Sequence, residues 1–288
     1  MVVVKKVSKH GDKLYLGHDD ELVAKNFAAG KQNEPTVFLP SHDVVAYHED
    51  FLGDTGNVDF FAFVDTDTGT DGITGVITSA TNGVFRITSL GGIGSRALAP
   101  TANGALTGGL MKQWKPNSGG PKNSRLRMGA RVKLSSISRT APRIHAFVGF
   151  SDSGGSEHPA SDTGAGIVSR AADLMGFLFS PGGDTGWSLI SAKSTAGDSG
   201  DQLVVAGSSY APTANVYQTL EMEYRTGPSD TGGRVHFWID GQKVGSIDSP
   251  VTSSTALTPW VGIFCQDTDT GVLDCDYINI AAARDTGE

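Results

Sequence analysis

Cysteine is nearly absent from this 288-residue chain, with only Cys265 and Cys275 present. Two cysteines cannot build a disulfide framework, and no second pair accompanies them to make a zinc site. Basic residues are also scarce, 23 Lys and Arg against 31 Asp and Glu, for a formal charge of −8. A phosphate backbone calls for a basic face, so this balance excludes nucleic acid as the main partner. Long apolar runs are missing, and none approaches the roughly 20 residues of a bilayer span, which excludes a membrane partner. The start, MVVVKKVSKHGDKLYLG, sets its apolar residues before its lysines and is too short in apolar length for a signal peptide. The expectation is a soluble protein synthesised in a host cytoplasm. Helix signals are few. Residues 20–29 read as a short helix capped by Asp19 or Asp20 and stopped by Gly30, and 169–176 as a turn or two more.

What is present is glycine, 38 residues of it, and short alternating apolar segments between Gly, Asp, Ser and Pro clusters. In 125–134, Leu126, Met128, Ala130, Val132 and Leu134 share one face, and Arg125, Arg127, Arg131 and Lys133 the other. In 216–225, Val216, Leu220, Met222 and Tyr224 oppose Thr219, Glu221, Glu223 and Arg225. In 234–240, Val235, Phe237 and Ile239 oppose Arg234, His236, Trp238 and Asp240. Period-two alternation gives one buried and one wet face, as in an antiparallel sheet. Further strands are expected at 59–64, 73–78, 83–89, 109–114, 144–150, 176–180, 186–193, 202–206, 243–247, 260–266 and 272–281. So many short strands predict an all-β, two-sheet antiparallel sandwich. Residues 1–46 differ in texture, with Lys5, Lys6, Lys9 and Lys13 ahead of a mixed segment. They read as an N-terminal arm, and 47–284 as the sandwich domain. The loop 151–166 is long, polar and Gly-rich, a composition common in functional or mobile loops.

Three consecutive pieces, VYQTLEMEYR, RVHFWIDGQKVGSI and TPWVGIFCQDTDTGVLDCDYINIAAAR, together resemble the C-terminal third of concanavalin-A-like (laminin-G-like) jelly-roll sandwiches. Asp240-Gly241 is a strong two-residue hairpin signal, and 276–280 reads as the closing strand of a last hairpin. YHEDFLG, 47–53, resembles the opening strand that such domains pair near their last one. Within that class the acidic, Gly/Ser/Thr-rich texture and short basic arm resemble structural proteins of tailed bacteriophages. That resemblance implies a non-enzymatic virion protein, a capsid decoration or cement protein on the capsid surface. Its partner would be the major capsid protein shell, bound through Lys5, Lys6, Lys9 and Lys13. It would act as a homo-oligomer, a trimer being one form. The alternative is a glycan-binding or glycoside-hydrolase module on a tail spike, a fibre or a secreted protein, since this sandwich hosts lectins and hydrolases as well.

Asp-Thr-Gly occurs seven times, beginning at Asp54, Asp67, Asp162, Asp184, Asp230, Asp269 and Asp285. It is also the active-site signature of aspartic proteases, which set two large apolar residues before it. Most copies here follow polar or small residues such as PAS, PGG and GPS, which excludes that chemistry. Asp and Gly are turn residues, and every copy falls at an expected loop or terminus. The doubled form, Asp-Thr-Asp-Thr-Gly, sets Asp65 near Asp67 and Asp267 near Asp269. Hard oxygen donors at that spacing suit Ca²⁺, although the EF-hand pattern is not met. No other cofactor is expected.

Concanavalin-like hydrolases carry a Glu-x-Asp-x-Glu row along one strand. Here Glu221 and Glu223 share a face, but Thr219 and Arg225 stand where the row would continue. Retaining chemistry needs carboxyl groups about 5–5.5 Å apart, within reach of neighbours two apart on a strand. The bland reading pairs Arg225 with Glu223. Trp238 and His236 read either as a sugar-stacking or interface patch or as cover for a core edge. Cys265 and Cys275 flank Thr270 as cross-strand neighbours in a last hairpin; in a reducing compartment they are expected as small buried hydrophobes. No nucleophile elbow or P-loop occurs, and GGIGSR, 91–96, lacks the lysine of a phosphate loop.

Overall fold

A computed structural model of the chain describes residues 13–16, 22–25, 44–49, 51, 62–65, 73–79, 83–89, 102–107, 125–140, 143–152, 160–162, 167–169, 171–181, 186–194, 202–205, 208–225, 233–252, 254–265 and 270–283. In chain order the strands are β1 (Lys13–Leu16), β2 (Leu22–Lys25), β3 (Val44–Glu49), β4 (Ala62–Asp65), β5 (Ile73–Ser79), β6 (Val84–Ser89), β7 (Ala102–Thr107), β8 (Arg125–Leu134), β9 (Ile144–Ser151) and β10 (Ala160–Asp162). They continue as β11 (Ile167–Ser169), β12 (Leu174–Phe179), β13 (Trp187–Ala192), β14 (Gln202–Val205), β15 (Gln218–Arg225), β16 (Arg234–Ile239), β17 (Gln242–Asp248), β18 (Thr258–Cys265) and β19 (Gly271–Ala283).

The alternation in β8, β15 and β16 decides the architecture. Their apolar residues, Leu126 to Leu134, Leu220 to Tyr224 and Val235 to Ile239, turn inward to one core. Val216 is the exception, lying before β15 and exposed. These strands belong to an eight-stranded antiparallel sheet, β17-β16-β15-β8-β19-β6-β5, in which β3 pairs with β19. A seven-stranded antiparallel sheet, β14-β13-β12-β9-β18-β7-β4, supplies Ile144, Val148, Phe150, Met175, Phe177, Trp187, Val261 and Ile263 to the same core. The rings of Phe177 and Phe237 meet edge to face across the sandwich, 5.1 Å between centroids. Trp187 donates its indole N–H to Gln218 Oε1 at 2.9 Å, so the buried indole nitrogen is satisfied.

β9, β12 and β13 are buried on both faces. Phe147, Leu174, Leu178, Ile190 and Trp260 form a second apolar cluster on the side of the seven-stranded sheet away from the core, together with Ala160 and Ala171. Thus the expected loop 151–166 contains β10, which pairs with β11, and Ala160 helps cover this sheet. The unequal outer faces matter for function, because they leave the polar outer side to the eight-stranded sheet.

The chain departs from expectation in four places. Leu22–Lys25 is a strand paired with Lys13–Leu16, not a helix. The alternation of Leu22 and Ala24 with Val23 and Lys25 permits either form, and four residues are too few for helical periodicity to win. Residues 171–173 are bends that lead directly into β12 rather than a helical turn. β7 occupies 102–107, whereas the expected strand at 109–114 lies outside the described residues. The last two strands are no hairpin. β18 lies in the seven-stranded sheet and β19 in the eight-stranded one, so 266–270 crosses between sheets. Cys265 and Cys275 are therefore not cross-strand neighbours, and Cys275 is a free, buried thiol.

Candidate functional site

On the outer side of the eight-stranded sheet, the polar half of each alternation falls into register. Glu221 pairs with Trp238 on β16 and with Gly129 on β8, and Gly129 pairs in turn with Asn279 on β19. One row away, Glu223 pairs with His236 and Arg127. On the other flank, Thr219 pairs with Arg131, and Arg131 with Tyr277. Antiparallel partners project to the same face, so these rows make one surface.

The charges on this surface are neutralised in place. Arg127 holds Glu221, and Arg225 donates to Glu223 at 2.6 Å. Arg131 reaches Asp276 at 2.5 Å. Asp274 is gripped by Arg86 at 2.6 Å and Lys133 at 2.8 Å. Burial alone would raise the Asp274 carboxyl, but hydrogen bonds from Arg86 and Lys133 outweigh it and hold the group below the usual carboxylate range. The Arg131 guanidinium and the Lys133 ammonium each lie 4.8 Å from the centre of the Tyr217 ring. Burial, then Asp274 and Asp276, raise the Tyr217 hydroxyl. His236 is half-buried, and burial, reinforced by Lys243 and Arg225, lowers it to about 4 against the opposing pull of Glu223. It is neutral at physiological pH, and its Nδ1 has no hydrogen-bond partner among the described residues.

Two irregularities shape the face. A bulge in β19 between Cys275 and Tyr277 breaks the alternation: Cys275, Ile278 and Ile280 stay in the core while Asp276 and Tyr277 are only partly buried. A second shift, between Phe237 and Trp238, sets Lys243 opposite Trp238. At the centre, Gly129 leaves room that Asn279 uses. A Cβ at 129 would lie 2.7 Å from Asn279 Oδ1, so a larger residue there would push that amide aside.

Of the residues singled out from sequence, the sheet brings together Glu221, Glu223, His236 and Trp238. Glu221 keeps 14 % of its side chain exposed, whereas Glu223 keeps none. Trp238 is buried at 1 % exposure, so its ring is packed inside the structure and is not an open stacking platform. Lys5, Lys6, Lys9, Asp67, Asp267 and Asp269 lie outside the described residues, and Lys13 and Asp65 are described only as strand positions. Among the described residues no cluster of three His, Cys, Asp or Glu could hold a metal ion. Sequence reading missed Gly129, Asn279, Asp276 and Tyr277. Alternation along β8 and β19 gave the faces, but only the register β15-β8-β19 sets them beside Glu221.

No protein-family model matches the chain, and no curated protein matches it in sequence. Solved structures do match. A chain from work on endo-acting O-glycanases, which members of the human gut microbiota express to initiate mucin breakdown, superposes with a TM-score of 0.51 at 10 % identity, over 83 % of this chain and 99 % of that one. The endo-1,3-β-glucanase of Streptomyces sioyaensis matches at TM-score 0.45 and 14 % identity over 86 % of this chain and 99 % of its own. The carbohydrate recognition domain of Emp47p gives 0.48 and 13 % over 84 % and 97 %. The fold is a concanavalin-like jelly-roll sandwich of two antiparallel sheets. The expectation of a non-enzymatic capsid decoration protein is corrected here. It rested on compositional texture, whereas the solved structure that the chain matches at a TM-score of 0.51 comes from work on endo-acting O-glycanases.

Proposed function

We propose that this chain is a carbohydrate-active protein that seats a polysaccharide segment across the outer side of the eight-stranded sheet, with Glu221 as the carboxylate that acts on it. The observation that carries this reading is the central row Trp238, Glu221, Gly129 and Asn279. It combines a partly exposed carboxylate and an amide over a low glycine floor, a donor and acceptor set of the kind that orients sugar hydroxyls. A guanidinium partner suits a carboxylate that works ionised, either as nucleophile or as stabiliser of oxocarbenium charge. Glu223, fully buried against Arg225, serves as a structural counter-charge that holds the row in place. That burial also favours a second reading, a module that binds glycan without cutting it.

Reducing-end release from a panel of plant, algal and mucin polysaccharides separates the two. Cleavage by the wild type that falls at least 100-fold in Glu221→Gln supports the enzyme. Retention on immobilised polysaccharide without release supports the binding module. No release and no retention across the panel overturns the carbohydrate reading.

A further inference from the structure

An aromatic ring on the flank of the Glu221 row offers a second contact for a saccharide, an inference that rests on the carbohydrate reading above. Tyr217 immediately precedes β15 and carries its alternation one step further. Gln218 and Leu220 are buried, while Tyr217, Thr219 and Glu221 are partly exposed. Tyr217 therefore stands on the same outer face as Glu221, roughly 13 Å away along an extended chain.

The ring is held by its neighbours. The Arg131 guanidinium and the Lys133 ammonium, both from β8, each lie 4.8 Å from its centre. Asp276 fixes Arg131 at 2.5 Å, and Asp274 fixes Lys133 at 2.8 Å. Cation–π contacts of this kind orient an aromatic side chain before a ligand arrives, which lowers the ordering cost of stacking. Unlike Trp238, the Tyr217 side chain remains partly open.

Exposed apolar surface gathers at the same end of the sheet. Among the described residues the only exposed large apolar side chains are Val216, 51 % open, and Ile137, 38 % open. Val216 adjoins Tyr217, and Ile137 lies in the segment that follows β8. Asn215 donates its N–H to the Leu134 carbonyl at 2.8 Å, which ties the chain before Tyr217 to the end of β8. Apolar side chains gathered at the rim of a polar face mark a contact surface.

We propose that Tyr217, with Val216 and Ile137 at the same end, is a stacking subsite for a pyranose ring of a saccharide long enough to reach it from the Glu221 row. The ligand class is then an extended oligosaccharide rather than a mono- or disaccharide. A pyranose is apolar across its C–H face and polar at its rim. The aromatic ring takes the face, and the Arg131 guanidinium, 44 % exposed, is placed to donate to the rim.

The test is titration of the full chain with disaccharides and hexasaccharides of β-1,3-glucan, β-1,4-glucan and polygalacturonate, with melting curves for every variant. The expected result is one hexasaccharide bound roughly tenfold more tightly than its disaccharide. In Tyr217→Ala most of that gain disappears, and in Tyr217→Phe, which keeps the ring, it survives. Val216→Ser, at an open position where folding is not at stake, loses part of it. A gain kept in folded Tyr217→Ala overturns the siting. Should Tyr217→Ala fail to fold, the other two variants decide: a gain unchanged in Val216→Ser, or lost in Tyr217→Phe, overturns the stacking. A hexasaccharide bound no better than its disaccharide overturns the inference and leaves the carbohydrate reading standing. Failure of all these sugars to bind overturns it as well, and the reducing-end screen then decides the carbohydrate reading itself.

Discussion

At the scale of single residues, the outer face is held by ion pairs whose loss should be measurable one at a time. Asp274 is 1 % exposed and serves two cations, Arg86 and Lys133. Asp274→Asn leaves both without a counter-charge, and breaking a buried pair typically costs about 3 kcal/mol. Because both cations reach solvent, chemical denaturation should show a loss at or somewhat below that figure. His236 gives a pH signature. Its folded value, about 4, lies below the ordinary 6.5, so the unfolded chain binds the proton more readily. Stability should be full above about pH 6.5 and fall as the pH drops from 6.5 toward 4. In His236→Gln that part of the acid slope should flatten, as read from melting temperatures across the range. Cys275 is buried, and burial raises its thiol well above the usual value. It should resist iodoacetamide in the native protein and react on unfolding, as peptide mass mapping would show.

At the scale of elements, the turn between β16 and β17 was legible in the sequence because its chemistry is local. Asp240 and Gly241 both take positive φ, 49° and 75°, as a two-residue hairpin turn of twisted strands requires. The turn is also tied sideways: Asp240 Oδ1 accepts the Thr219 N–H at 2.8 Å, and the Asp240 N–H donates to the Thr219 carbonyl. Nothing lies near a Cβ at 241, so Gly241→Ala tests backbone strain alone, with an expected loss of about 1–2 kcal/mol in denaturant titration. The alternating strands β8, β15 and β16 were legible for the same reason, each declaring its core face within a few residues. β9 and β12 were placed within two residues of their bounds, yet with both faces buried they carry no alternation to say which side meets the core. β1, β2, β7, β10 and β11 were missed, since a short strand made by pairing leaves little trace in its own sequence. Of the Asp-Thr-Gly repeats, Asp162 ends β10, Gly186 precedes β13 and Gly271 opens β19, and the copies beginning at Asp54, Asp67, Asp230 and Asp285 lie outside the described residues. What local sequence could not reveal is that the segment before Gly271 changes sheets.

At the scale of the whole molecule, the two sheets differ in what they leave outside. The seven-stranded sheet hides much of its outer face under an apolar cluster, and the eight-stranded sheet keeps its outer face polar. That asymmetry is why the candidate site lies on one side only. The carboxylates Glu221 and Glu223 were visible as a pair in sequence, but the arginine partner of Glu221 on β8 and the Gly129–Asn279 floor depend on strand order, which no local pattern encodes. The central claim is that a polysaccharide lies across that floor. It is tested most directly by titrating polygalacturonate and laminarin, one anionic and one neutral polymer, onto the wild type and onto Gly129→Val, with melting curves to confirm that both are folded. A side chain at 129 displaces Asn279 and raises the floor beside Glu221. The account predicts that whichever polymer the wild type binds is lost in Gly129→Val; unchanged affinity in a folded Gly129→Val protein would contradict it.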